Sequence, residues 1–146
     1  MTVALSAKEV AAKLEPKFPA SIIESNKDSL LVKSESLFEL ISFLKTTPEF
    51  DFNYLSSITA VDYLDYFELV YHLTSMEHNH SLVIKTRCYG RGNPTVPSIV
   101  SLYEGANVQE REIYDLMGIS FEGHPNMKRI FLWDGFEGHP LRKDYL

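Results

Sequence analysis

The chain has one cysteine, Cys88, in 146 residues. A single thiol excludes an internal disulfide, a cysteine-based metal site and an iron–sulfur cluster held by this chain alone. No apolar run approaches the roughly 20 residues that a membrane-spanning helix needs. Lys8, Glu9, Lys13 and Glu15 break up the N-terminal stretch, so the core of a signal peptide is not expected there. Basic residues are outnumbered and the net charge is −6, which argues against a general nucleic-acid binder. Several catalytic signatures are missing too. There is no Gly-x-Ser-x-Gly elbow, and Tyr89-Gly90-Arg91-Gly92-Asn93-Pro94 lacks the glycine pattern and lysine of a phosphate-binding loop. Five histidines are present, but no His-x-x-x-His pair supports a metal site from His78, His80, His124 or His139.

What is present is an ordinary globular composition, 45% apolar and 23% charged, long enough for one domain with a real core. Ser6-Ala7-Lys8-Glu9 has capping-box spacing, and Val10, Leu14 and Phe18 follow at helical intervals until Pro19. Two short apolar runs, near Ser21–Ser25 and Ser29–Ser34, flank the turn Asn26-Lys27-Asp28 as a hairpin. A second capping box, Ser36 to Glu39, opens a helix with Leu37, Leu40, Ile41 and Leu44 on one face, ended by Thr46-Thr47-Pro48. A strand is expected at Leu55–Val61. Phe67, Leu69, Tyr71 and Leu73, then Leu82, Ile84, Thr86 and Cys88, alternate with other residues as two further strands, joined at Glu77-His78-Asn79-His80. Residues 90–97 read as a loop. A last helix is expected at Val108–Met117, capped by Asn107 with Glu110 three residues on and closed by Gly118. This order, helix, two strands, helix, three strands, helix, predicts a two-layer α+β domain with a mixed or antiparallel sheet and an irregular C-terminal tail. The core is expected within about residues 1–118 and a partner-binding tail over about 119–146. Cys88 ends an alternating strand and is expected to be buried and inert.

The C-terminal stretch from about Asn107 onward is the least ordinary part. Two triplets, Gly123-His124-Pro125 and Gly138-His139-Pro140, punctuate it, and Leu141-Arg142-Lys143-Asp144-Tyr145 closes it. Gly and Pro impose unusual backbone paths, so this segment should hold a definite course. Its four Lys/Arg against three Asp/Glu over residues 124–146 make it the least acidic part of the chain. Phe121, Phe131, Trp133, Phe136 and Tyr145 fit either the domain's own core or the aromatic and arginine mix of an interface centre. Glu110, Arg111, Glu112 and Asp115 share the last helix. The dipole accounts for early carboxylates, so a solvated charged face is the first expectation, and an Arg111–carboxylate pair at a buried or interfacial surface is the sharper one.

Glu110-Arg111-Glu112-Ile113-Tyr114-Asp115-Leu116-Met117-Gly118-Ile119, then Phe121-x-Gly123-His124-Pro125, then Gly138-His139-Pro140-Leu141-Arg142-Lys143-Asp144-Tyr145 resembles the signature of the 30 kDa-type subunit of respiratory complex I, in its bacterial form. Mitochondria have a counterpart of the same type. Ile58-Thr59-Ala60-Val61-Asp62, Tyr71-His72-Leu73-Thr74-Ser75 and Val96-Pro97-Ser98 resemble further stretches of that family in the same order. Val108 stands where relatives often carry tryptophan before the Glu-Arg-Glu run.

The resemblance implies a non-catalytic structural or assembly subunit in the peripheral arm of a proton-translocating NADH:quinone oxidoreductase. It would have no cofactor of its own; iron–sulfur clusters, flavin and quinone would belong to partner subunits. It would sit against the 49 kDa-type quinone-site subunit and neighbouring iron–sulfur subunits, on the cytoplasmic side of the cell membrane, reaching the membrane only through partners. Residues implied at the partner interface are Glu110, Arg111, Glu112, His124, Pro125, Arg129 and Trp133 on and after the last helix. His139, Pro140, Leu141, Arg142, Lys143, Asp144 and Tyr145 complete the set. Arg142 is expected to meet a carboxylate or carbonyl cluster of the partner. A related membrane-bound hydrogenase or formate-linked complex would use a similar subunit with a different electron donor. From another class, a small acid–base enzyme would draw on Glu110, Glu112, His124 or His139.

Overall fold

A computed structural model of the chain describes residues 2–90, 92–132 and 136–143. The elements run β1 (Val3–Ala4), α1 (Ala7–Leu14), β2 (Ile22–Ser25), β3 (Ser29–Val32) and a single 3-10 turn at Ser34–Ser36. They continue α2 (Leu37–Thr46), β4 (Tyr54–Asp62), β5 (Tyr66–Ser75), β6 (His80–Tyr89), β7 (Thr95–Pro97), α3 (Ala106–Met117) and β8 (Ser120–Glu122). The main sheet has the order β2-β3-β6-β5-β4, with β1 also pairing β6. β3 and β6 are parallel, with Leu30 beside Ile84, and the remaining pairs along that order are antiparallel. The architecture is therefore α+β with a mixed sheet, as the element order predicts.

Period-two alternation puts Phe67, Leu69, Tyr71 and Leu73 of β5 on the inner face, where all four are fully buried with Leu82, Ile84 and Cys88 of β6. Val10 and Leu14 of α1, Leu37, Leu40, Ile41 and Leu44 of α2, and Ile113 and Met117 of α3 join the same core. One apolar stripe per helix thus meets one apolar face of the sheet, which is the two-layer solution. Burial pushes the Cys88 thiol up to about 11, in keeping with an inert core position.

Several details depart from the sequence expectations. α1 stops at Leu14, ahead of Pro16, because a proline inside the pattern has no N–H to donate and its ring obstructs the preceding turn. Phe18 keeps its place against the core through a turn, its amide bonding Leu14 O at 2.8 Å. Neither Ser6 nor Ser36 makes the side-chain bond its capping-box spacing suggests. α3 starts at Ala106 after Gly105, a residue or two before the expected Asn107 cap. Residues 90–97 are not loop throughout: β7 pairs in parallel with β8, Val96 beside Phe121. The core also runs past residue 118, since Ile119 and Phe121 are buried in it.

Candidate functional site

α3 and the segment after it form one polar assembly around the helix C-terminus. A helix ends with carbonyls that lack intrahelical partners, and here Arg129, His139, Leu141 and Arg142 supply them. Gly118 adopts the left-handed conformation, φ 76°, and its amide bonds Tyr114 O at 2.9 Å. Asp115 O accepts from Arg129 Nη1 at 2.9 Å and faces His139 Nδ1 at 3.0 Å, which makes Nδ1 the protonated nitrogen of that ring. Leu116 O accepts the Leu141 amide at 2.9 Å. Met117 O accepts from Arg142 Nε at 2.6 Å, and the same guanidinium lies 5.2 Å from the Phe67 ring centroid. Arg129, His139 and Arg142 bring cationic or donor groups to the negative end of the helix dipole. Gly118 is doubly required. Besides its positive φ, a Cβ there would lie 2.6 Å from His139 Cδ2 and 2.8 Å from Arg142 Nη2.

Asp115 holds the centre. It is fully buried; its Oδ1 takes Arg129 Nη1 at 2.6 Å, and its Oδ2 takes the amides of Ile130, Phe131 and Leu132 at 3.1, 2.7 and 3.0 Å. Burial alone would raise this carboxyl. The three amides and Arg129 outweigh burial and hold it below its ordinary value. Arg129 continues outward, donating to Gly138 O at 2.8 Å and stacking 5.6 Å from the Phe136 centroid.

The solvated-face expectation for this helix is therefore corrected at two of its carboxylates. Glu110 is as buried as Asp115: Ser98 Oγ donates to its Oε1 at 2.6 Å and the Ile99 amide to its Oε2 at 2.9 Å. Glu110 caps the turn that begins at Ile99 rather than its own helix. Burial pushes it up to about 7, against the lowering effect of those two bonds. The Tyr71 hydroxyl, in the same interior, has no hydrogen-bond partner among the described residues, and burial followed by the nearby Glu110 charge raises it well above its ordinary value.

Among the described residues Arg111 takes no carboxylate. Its Nε and Nη2 donate to Lys128 O and Arg129 O at 3.1 and 3.0 Å, tying the outgoing chain back to the helix. The ion pair on this helix belongs to Asp115 and Arg129.

Arg129, His139, Leu141 and Arg142 are thus brought together at the C-terminal end of α3, with Arg111 holding the carbonyls of residues 128 and 129 and Lys143 bonded to Asp62 of β4. His124 lies at the other end: its Nε2 donates to Asn107 O at 3.2 Å while its Nδ1 accepts the Asn126 amide at 2.9 Å. Pro125 is exposed beside it and Pro140 half-buried beside His139. Glu112 faces β4 across a groove that Leu141 also lines. Trp133, Asp144 and Tyr145 lie outside the described residues. Among those residues no group of three or more His, Cys, Asp or Glu side chains is placed to hold a metal ion.

Asp62, Ser98 and Gln109 are the site residues that sequence reasoning passed over. Asp62 is buried at the end of β4; its Oδ1 takes the Leu64 amide at 2.8 Å and its Oδ2 the Lys143 amide at 2.9 Å. It joins the β4–β5 turn to the tail across 81 residues of chain. Besides its place in the family-like stretch Ile58–Asp62, its sequence signal is a carboxylate on the inward phase of the Ile58–Ala60–Asp62 alternation. Ser98 has only its place in the family-like stretch Val96-Pro97-Ser98 and Gln109 has none, because their partners are fixed only by the packing of α3 on the sheet.

The sequence model of the respiratory-chain NADH dehydrogenase 30 kDa subunit family matches residues 30–146. The chain belongs to this family. The type C subunit of the NADH-quinone oxidoreductase of Roseiflexus castenholzii is 39% identical over 97% of this chain and 85% of its own length. The corresponding protein of Moorella thermoacetica is 42% identical over 91% of this chain and 90% of its own. A mitochondrial relative from Candida albicans, NADH dehydrogenase [ubiquinone] iron-sulfur protein 3, is 43% identical over 80% of this chain and 42% of its own. A chain of an archaeal membrane-bound sulfane sulfur reductase, a respiratory membrane complex, superposes with a TM-score of 0.77 at 26% identity over 94% of this chain and 84% of that one. The family is one of subunits of an oxidoreductase complex, so partner subunits are implied. Among the described residues no helix of this family member is long and apolar enough to cross a membrane.

Proposed function

We propose that the chain is a non-catalytic structural subunit of the peripheral arm of a proton-translocating NADH:quinone oxidoreductase. It helps seat the 49 kDa-type quinone-site subunit and neighbouring iron–sulfur subunits. It carries no cofactor of its own, lies on the cytoplasmic side and meets the membrane only through partners. One observation supports this reading above the others: the signature side chains Glu110, Asp115, Arg129, His124 and His139 bond atoms of this chain itself. Glu110 holds Ser98 and Ile99, Asp115 and Arg129 hold residues 130–132 and Gly138, and His124 and His139 bond main-chain atoms. A catalytic pair needs polar groups converging on a pocket open to substrate. Among the described residues Glu110 is sealed in the interior and the two histidines serve opposite ends of α3, so these groups of the acid–base reading do not converge on one another.

The likeness to a chain of the sulfane sulfur reductase favours one second reading, the same structural role in a related complex with another electron donor. Purification of the native complex from membranes, with partners identified by mass and NADH-dependent quinone reduction assayed, separates the two. Co-purification with NADH-oxidising and quinone-site subunits is expected. Recovery with hydrogenase- or formate-linked partners favours the second reading, and recovery free in the cytosol while those subunits stay on the membrane defeats both. Elemental analysis and an absorption spectrum of the isolated chain check the cofactor statement; a stoichiometric metal or chromophore after dialysis contradicts it.

A further inference from the structure

A small apolar groove lies where the edge of the sheet meets α3. Thr59 and Ala60 of β4 form one wall and Glu112, Ile113 and Leu116 of α3 the other. Leu141 overhangs it, and the enclosed volume is about 210 Å³. β4 is the last strand of the sheet. The Ile58 amide donates to Gln109 Oε1 at 2.6 Å, so it points away from β5, and alternation turns the Ala60 backbone the same way. Asp62, two residues further along, holds the Lys143 amide at 2.9 Å. Gln109 thus occupies the strand edge at Ile58 and the Asp62 side chain holds the tail at Lys143, with the groove opening between them. Leu141 is displayed over it: its amide is fixed to Leu116 O at 2.9 Å while the residue remains 60% exposed.

We propose that this groove receives an extended segment of a neighbouring subunit of the complex, which seats one apolar side chain against Ile113, Leu116 and Leu141 with a lysine or arginine beside it facing Glu112. The proposal rests on the subunit role argued above. Three observations choose this occupant. The volume is smaller than the roughly 300–1,000 Å³ of small-molecule sites, and Glu112 and Thr59 alone offer too few polar groups to orient a substrate. A strand edge offers main-chain groups that an extended peptide satisfies. Among the described residues the one charged lining residue is acidic, on a chain of net charge −6. A basic flank is therefore complementary, whereas a second copy of this chain would oppose like charges.

The test uses the native complex. Leu141→p-benzoylphenylalanine, illuminated in membranes, is expected to crosslink to a peptide of another subunit in which an apolar residue neighbours Lys or Arg. A crosslink to a second copy, to residues 144–146 of the same chain, or to no protein in an intact complex overturns the proposal. Ala60→Phe, which fills the groove, and Leu141→Asp, on an exposed side chain, are each expected to cut the yield of intact complex about tenfold or more. The thermal midpoint of the purified full chain should stay near that of the wild type for Leu141→Asp. Glu112→Lys should lower the yield and Glu112→Gln less so. Wild-type yield from Leu141→Asp defeats the groove, even if Ala60→Phe proves too disruptive to fold. If the wild-type chain itself fails to co-purify with oxidoreductase subunits, the subunit role fails instead.

Discussion

Between Ser29 and Tyr89 the inner face is held by apolar burial, whereas the described residues that follow β8, up to Lys143, are tied to α3 largely by polar contacts on the buried Asp115 and the helix-end carbonyls. In the first region Phe67, Leu69, Tyr71, Leu73 and Ile84 interlock with α1 and α2, and any side chain of similar size and shape would serve at most positions. In the second, Arg129, His139 and Arg142 of a segment with little regular secondary structure each bond particular atoms at the end of α3, Asp115 among them. Hydrophobic burial is nondirectional and roughly proportional to area. Hydrogen bonds to charged groups require geometry, and a buried member left without its partner is expensive. The contrast explains how an irregular tail keeps one path without a core of its own. It also explains why its residue identities look like a functional signature when their bonds are internal.

Removing the centre of the polar half is the strongest way to break this contrast. Asp115→Ala takes the carboxylate away from three amides and from Arg129, which keeps only carbonyl acceptors, a loss of about 3–5 kcal/mol by analogy with broken buried ion pairs. Hydrogen exchange should show residues 120–143 losing protection while β5 and β6 keep theirs. Leu69→Ala, costing about 2–5 kcal/mol through its cavity, should instead weaken the sheet and tail together. Equal loss across both regions in Asp115→Ala would mean that the two halves are one cooperative unit.

The two buried carboxyls of α3 should sharpen the comparison by titrating in opposite senses. Glu110 sits at about 7 when folded against an ordinary 4.5, a difference worth roughly 3 kcal/mol at 1.36 kcal/mol per pH unit. The folded state binds its proton more tightly, so its contribution is complete below about 4.5 and is lost as pH rises through about 7. Asp115 is depressed, so its contribution is present above the ordinary carboxylate range and lost as pH falls through its lower folded value. Denaturant melts from acid to neutral pH should show Glu110→Gln flattening the neutral limb and Asp115→Asn flattening the acid limb. A neutral limb unchanged by Glu110→Gln would place the titrating group elsewhere.

Gly118→Ala tests the closure itself. The left-handed conformation costs a non-glycine residue about 1–2 kcal/mol, and the new methyl must also displace His139 and Arg142. Loss of protection at Leu141 and Arg142, with α3 itself intact, is the expected outcome; an unchanged tail would show that these contacts are not tight. The smallest effect belongs to Val108→Ala. Val108 is 47% exposed on α3, so the change should stay within about 0.5 kcal/mol and shift the thermal midpoint little. A larger loss would show that Val108 contributes to the packing of α3.

The long strands, the helices and the α+β class were legible because period-two and helical spacings of apolar residues report directly on faces that must be buried. Phe67 to Leu73 and Leu37 to Leu44 could be assigned from spacing alone, and Gly118 could be read as a helix stop from its type. The family signature was legible as well, being a matter of residue identity along the chain. Capping was less so: Glu110 has the spacing of a first-turn cap, yet the packing of α3 on the sheet presents it to Ser98 and Ile99. The same holds for Arg111 and Arg142, whose guanidiniums found backbone carbonyls of this chain, and for Asp62, which bonds a residue 81 positions away. Apolar periodicity is a local property that the sequence determines by itself, because it depends on which side chains avoid water. The partner of a buried charge is decided only by the tertiary structure, because a directional bond forms with whichever donor or acceptor the packed chain brings within about 3 Å.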